Sequence, residues 1–88
     1  PGLSHAEPVL AFLDRLWQKW EHPSVVDADA LNAVGLGVRL PSSECILTPH
    51  PGEMSRLVQL SIAEIQSDRF RSARIAAHRF GQTVILKG

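Results

Sequence analysis

The sequence predicts an α/β fold on a parallel sheet, and three observations predict it. Short apolar runs, Val25-Val26, Cys45-Ile46-Leu47 and Val84-Ile85-Leu86, are separated by helix-periodic stretches, the alternation of βαβ units with right-handed crossovers. Each run ends in polar residues: Asp27 and Asp29, His50, and Lys87. In parallel strands those ends share one edge, where open α/β sheets bind ligands. Finally, 88 residues with 44% hydrophobic and 20% charged content make a globular chain of at most one domain. About three strands with flanking helices are expected.

The elements follow in order. Pro1-Gly2-Leu3 reads as a loop. Ser4-His5-Ala6-Glu7 matches a capping box, with Pro8 suited to the first helical position. Val9, Phe12, Leu13, Leu16, Trp17 and Trp20 recur at three and four, giving an apolar stripe from which Asp14, Arg15, Gln18 and Lys19 point away. The two tryptophans are expected to cover a sheet. His22-Pro23 ends the helix, and Ser24 to Asp27 forms a short buried strand. A helical turn over residues 30–34, capped by Asp29, ends at Gly35-Leu36-Gly37, and Arg39 to Ser43 is a surface loop. Glu44 to Thr48 is the second strand. Met54, Leu57, Val58 and Leu60 cover the sheet from a short helix. Ser61-Ile62-Ala63-Glu64 opens another capping box, and Ile62, Ile65, Ala73, Ala76 and Phe80 mark one helical face up to Gly81, a natural C-cap. Asp68, Arg69, Arg71, Arg74 and Arg79 give that helix a largely charged, solvated outer surface, with Arg69 falling near the apolar stripe and bending out along its stem. Gln82 to Leu86 is the third strand.

Composition excludes several functions. Lys plus Arg and Asp plus Glu number 9 each, so no bulk field draws the chain to nucleic acid or an anionic membrane. One cysteine, Cys45, rules out an internal disulfide and fits a reducing compartment; it reads as a small core residue. His5, His22, His50 and His78 are too scattered for a metal-binding pattern. No apolar run approaches the length of a membrane span.

The central stretch is Thr48-Pro49-His50-Pro51-Gly52-Glu53. Two prolines stiffen it. Pro51 and Glu53 suit the start of a helix, whose free N–H groups favour an anionic ligand. Gly52 removes a Cβ where a close approach is needed. His50 is either a ligand contact or a helix cap. Asp27 and Asp29 either hold Mg²⁺ through water or orient a hydroxyl, or they cap nearby backbone. Lys87 is either a phosphate contact or an ordinary strand-end lysine.

Three stretches, Val25-Val26-Asp27-Ala28-Asp29-Ala30-Leu31-Asn32, Ile46-Leu47-Thr48-Pro49-His50-Pro51-Gly52-Glu53-Met54 and Val84-Ile85-Leu86-Lys87-Gly88, resemble three successive motifs of the NAD(P)H-hydrate dehydratases. The resemblance implies a three-layer, ribokinase-like (Rossmann-like) fold. It implies repair of hydrated NADH or NADPH: a nucleoside di- or triphosphate phosphorylates the added hydroxyl, and elimination of phosphate restores the cofactor. By position, Gly2 and the turn His50, Pro51, Gly52, Glu53, Met54, Ser55 and Arg56 would contact the hydrated dinucleotide. Lys87 and Gly88 would begin the nucleotide-binding segment, with Asp29 and Asn32 supporting the site. ADP or ATP is the implied donor, with Mg²⁺, in a cytoplasmic, homo-oligomeric parent; the Pro-Gly-Glu turn looks more like the bacterial, ADP-using branch.

Ser4 stands where the family usually has another glycine. The family's later glycine-rich segment and catalytic aspartate would lie beyond Gly88, so no residue of this chain is a catalytic candidate. Residues 1–88 are therefore expected to be the central part of one domain, cut at both ends and inactive alone. Two other readings stay open: another ribokinase-like kinase, such as one for a vitamin precursor, and a non-catalytic nucleotide-binding module.

Overall fold

A computed structural model describes residues 8–88, and among these residues it forms eight elements. The Ser4–Glu7 capping box and Gly2 lie outside the described residues. The order is α1 (Pro8–Gln18), β1 (Ser24–Val26), α2 (Ala28–Gly35), β2 (Cys45–Leu47), α3 (Pro51–Val58), α4 (Ile62–Ser67), α5 (Arg69–Phe80) and β3 (Thr83–Val84).

The three strands are parallel, in the order β1-β2-β3, so each pairs with its neighbour in sequence. Val26, Leu47 and Val84 form one row across the sheet; Val25, Ile46 and Thr83 form the row on the other face. Regular strands are shorter than expected, but the ladder runs on. Ile85 N donates to Leu47 O and Lys87 N to Pro49 O, both at 2.8 Å. The third strand therefore stays registered on the second as far as Lys87.

The core lies on the face of Val26 and Leu47. Leu31 and Val34 of α2, Met54, Leu57 and Val58 of α3, Ile65 of α4 and Ala76 of α5 close over it. This is burial that the apolar spacing of those helices dictates. Among the described residues the other face is left open at Val25, which is 68% exposed. Cys45 is fully buried and burial pushes its thiol up, as suits a core residue rather than a nucleophile.

Four local expectations need correction. A full helix, α2, replaces the predicted turn over 30–34. Its N-cap is Asp27, not Asp29: Asp27 Oδ1 accepts from Ala28 N at 2.9 Å. Second, the face predicted to run unbroken from Ile62 to Phe80 is split. Asp68, at φ −153°, leaves helical space, ends α4 and caps α5 by accepting from Arg71 N at 3.0 Å.

Third, Asp14 is buried, not outward-facing. It accepts from Arg39 N at 2.9 Å, Arg39 Nε at 3.2 Å and Arg39 Nη2 at 2.7 Å. The guanidinium bonds, then the backbone one, hold its carboxyl below the ordinary range. A planar fork that supplies charge and geometry together is what lets this carboxylate leave water. Fourth, the tryptophans divide. Trp17 packs on the core, whereas Trp20 is partly exposed, donating from Nε1 to Ser24 Oγ at 2.8 Å and meeting His22 edge-on.

Gln82 closes the end of the sheet opposite the candidate site. Its Oε1 accepts from Cys45 N at 2.8 Å and its Nε2 donates to Ser43 O at 2.9 Å. The amide thereby continues the β2–β3 pairing where backbone alone does not.

Candidate functional site

Three chain segments meet at the carboxyl ends of the strands. β1 delivers Asp27, β2 delivers the Pro49–His50 turn, and the extension of β3 delivers Lys87. Lys87 Nζ lies 3.0 Å from Asp27 Oδ1, spanning the sheet across β2, while Lys87 N is bonded to Pro49 O at 2.8 Å. The ammonium bond first, then that from Ala28 N, holds Asp27 below the ordinary carboxylate range. Both side chains of the pair stay about half exposed, so the amine is open to a competing anion.

His50 is the N-cap of α3. Its Nδ1 accepts from Glu53 N at 3.2 Å, and Glu53 Oε1 accepts in turn from His50 N at 3.1 Å, a reciprocal capping box. An Nδ1 that accepts leaves the imidazole proton on Nε2, on a ring whose side chain is half exposed. The cap and the ligand-contact readings of His50 are thus compatible: Nδ1 caps, while Nε2, 3.5 Å from Glu53 Oε2, carries its proton on the half-exposed side of the ring.

The same box changes the role of the turn. Glu53 N and His50 N are engaged, Met54 N donates to His50 O at 2.9 Å, and Pro51 has no N–H. Most of the donors expected to await an anion are thus used internally. Gly52 has a structural reason as well. A Cβ there would stand 3.0 Å from His50 Cε1 and 3.3 Å from Nδ1, so the close approach expected at Gly52 is that of the capping imidazole.

The remaining candidates separate by burial. Met54 is fully buried in the core and Glu53 nearly so, which leaves neither side chain open for contact except the carboxylate edge beside His50. Ser55 Oγ donates to Leu60 O, securing the chain after α3. Arg56 is exposed and donates from Nη2 to Asn32 Oδ1 at 3.2 Å. These two, with Gly35 and Leu36, line a depression of about 500 Å³, so a residue of α3 just past the second motif joins one of the first. Asp29 is exposed in the first turn of α2.

The larger depression, about 870 Å³, lies along α5 beside Phe70 and Arg74. It contains none of the strand-end residues, so the chemistry described above does not belong to it.

One site contact escaped the reading of the sequence. Arg69, expected on the solvated face, folds to the strand end and donates from Nη2 to Lys87 O at 3.0 Å. The signal was present: a cation at the first residue of a helix, just after its Asp cap, sits against the helix dipole and needs another partner.

No group of three or more His, Cys, Asp or Glu is placed to hold a metal ion among the described residues. The Mg²⁺ implied by the resemblance therefore finds no protein cage here, and no step is assigned to it.

Comparison with known proteins bears on the family and the fold. Residues 1–88 match the model of a family described as NAD(P)H-hydrate dehydratase. The chain is 40% identical over 91 residues to the bifunctional NAD(P)H-hydrate repair enzyme Nnr of Moorella thermoacetica, covering 100% of the chain and 17% of the relative. It is 38% identical over 78 residues to the ADP-dependent (S)-NAD(P)H-hydrate dehydratase of Neisseria meningitidis, covering 83% and 26%. YxkO of Bacillus subtilis, a solved member of the UPF0031 family, superposes with a TM-score of 0.72 at 30% identity, covering 100% of this chain and 32% of that one. The chain thus spans about a sixth to a quarter of the length of these curated relatives. With its parallel sheet, its three strand-end motifs and a family match over every residue, this chain belongs to the NAD(P)H-hydrate dehydratase family.

Proposed function

We propose that this chain forms the substrate turn and the start of the nucleotide segment in an enzyme that restores hydrated NADH or NADPH at the expense of ADP or ATP. The observation that carries the reading is the meeting at Lys87. Its amine reaches Asp27, its N–H reaches Pro49, and three separate motifs share one edge.

In this reading the added hydroxyl attacks the terminal phosphorus of the nucleotide. A P–O bond to the hydroxyl forms, the P–O bond to the leaving nucleotide breaks, and the hydroxyl proton passes to a base. Phosphate then leaves with its C–O electron pair, the neighbouring carbon loses its proton, and the ring double bond returns. Lys87 supplies a point charge to the phosphates, with Gly88 continuing that segment. His50 Nε2–H and Arg56 donate to the dinucleotide, Asn32 orients Arg56, and Asp29 supports the edge. Pro51, Gly52, Glu53, Met54 and Ser55 hold the turn in shape. In the same reading the base is the family's catalytic aspartate rather than any of the residues named above.

ADP is the favoured donor, in keeping with the Neisseria relative's name; Mg²⁺ would arrive with the nucleotide phosphates. A single buried thiol suits the cytoplasm, and a homo-oligomer is the expected assembly.

The test incubates the full-length protein carrying this segment with hydrated NADH and ADP, ATP or neither, and follows the absorbance of reduced nicotinamide. Recovery that requires a nucleotide is expected. No recovery with either donor overturns the reading. Phosphorylation of a vitamin-precursor alcohol instead would reassign the chain to a kinase of the same fold.

A further inference from the structure

We propose that Arg69 is a positioning residue for the nucleotide segment, fixing the main chain that presents Lys87; the proposal rests on the reading of Lys87 given above. The guanidinium makes contacts on two sides. Nη2 donates to Lys87 O at 3.0 Å, with Leu86 O at 3.4 Å, and Nη1 donates to Gln66 Oε1 at 2.6 Å. Lys87 is thus held at three atoms: its N by Pro49 O, its carbonyl by Arg69 and its Nζ by Asp27.

Three features point to this task rather than to general surface charge. First, regular β3 pairing stops at Val84, and the segment that follows depends on individual bonds. A carbonyl past the end of a strand is satisfied by water unless something is built to hold it. Second, Arg69 is the first residue of α5, where a cation opposes the macrodipole, and the Asp68 carboxylate that caps this helix accepts from Arg71 N rather than from the Arg69 guanidinium. Third, the break at Asp68 sets the start of α5, and Gln66, on the preceding helix, steadies the fork. Had the helix run straight from Ile62 to Phe80, Arg69 would lie in its interior. The break places it at a helix start facing the strand end.

Holding the segment before the nucleotide arrives removes an ordering step from binding. Losing a hydrogen bond from a charged donor weakens such an interaction on the order of tenfold. The effect should fall on the nucleotide and spare the dinucleotide, because of the three strand-end segments Arg69 touches the third and neither of the others.

The experiment compares wild type, Arg69→Met and Arg69→Lys in the full-length protein carrying this segment. It measures the Kd for ADP by calorimetry, KM for ADP, KM for hydrated NADH, and Tm. For Arg69→Met, Kd and KM for ADP rise about tenfold, while KM for hydrated NADH stays within about twofold. Arg69→Lys, which keeps one donor but not the fork, falls between. Unchanged ADP binding in Arg69→Met overturns the proposal, as does a parallel rise of both KM values with a fall in Tm. If Arg69→Met does not fold, Arg69→Lys decides by the same split. Wild type that binds neither ADP nor ATP sinks the functional reading and this proposal together. Wild type that binds ADP without restoring hydrated NADH sinks only the activity, and the ADP Kd still decides on Arg69.

Discussion

Lys87 Nζ sits 3.0 Å from Asp27 Oδ1, so the first and third strands are linked over the end of the second by an amine and a carboxylate. The same oxygen accepts from Ala28 N and so caps α2. This sets a sign for acid. A carboxyl whose folded pKa is depressed below its ordinary value of 3.8 contributes stability that is fully present above that value. The contribution is lost as pH falls through the folded pKa. The link and the cap should therefore persist below pH 3.8, and the carboxyl carbon shift of Asp27 should titrate below that of an exposed aspartate. An ordinary titration would show that the pair does not form in solution. Asp27→Ala removes both cap and link, while Asp27→Asn keeps the cap; loss of α2 amide protection is expected only for the alanine.

Asp14 follows the same rule for a different purpose. Its carboxylate is depressed by three bonds from Arg39, so the contribution it makes is present above 3.8 and fades as pH falls through its lowered folded pKa. Asp14→Ala should loosen α1 and shift the emission of Trp17 to the red at neutral pH. Arg39→Lys should reproduce part of that shift, because an ammonium cannot reproduce the fork. Emission unchanged in Asp14→Ala would rule out the anchor.

Gly52→Ala tests the packing of the imidazole over the turn. The added methyl would stand 3.0 Å from His50 Cε1, pushing the ring off Glu53 N. The expected loss is that of a helix cap, about 1 kcal/mol, read as a lower urea midpoint with unchanged slope. A midpoint equal to wild type would mean that the ring has room to move and keep its bond.

Gln82→Met removes the amide that joins β2 to β3 while keeping the side chain's length. Cys45 N, beside a fully buried thiol, then loses its acceptor. An unsatisfied buried donor costs about 1–3 kcal/mol. Faster hydrogen exchange at the Cys45 amide is the specific readout. Equal protection in the variant would assign that N–H another acceptor.

Much of this arrangement was legible because its causes are local. The three strands follow from apolar runs, and α3 follows from Pro51 and Glu53 in its first turn. Gly81 ends α5 at φ 64° as a C-cap should. The strand-end residues lie on one edge because parallel pairing leaves them nowhere else. What escaped depends on distant partners. Asp14 looked like a surface residue because nothing in its own helix announces Arg39, 25 positions away. Arg69 looked solvated because its partners are 17 and 18 positions on. The split at Asp68 lay within an apolar pattern that is continuous in both helices, and only the capping side chain distinguishes a break from a surface aspartate. In the turn, the residues were identified and capping by His50 was one of the two readings, but the choice was not made: a histidine that caps and a histidine that awaits a ligand have the same sequence.

The strand order also bears on how such a sheet is assembled. Because β1, β2 and β3 lie side by side in the order of synthesis, each new strand docks on the edge left by the one before. No strand has to be inserted between two that have already paired. The crossover between β1 and β2 is a single helix and the next is three, so closure of the first loop is the less entropically demanding. A chain emerging amino end first can thus complete its first βαβ unit before the Arg69 segment has been made. Lys87, the last of the three edge residues to appear, then closes onto an Asp27 that is already in place.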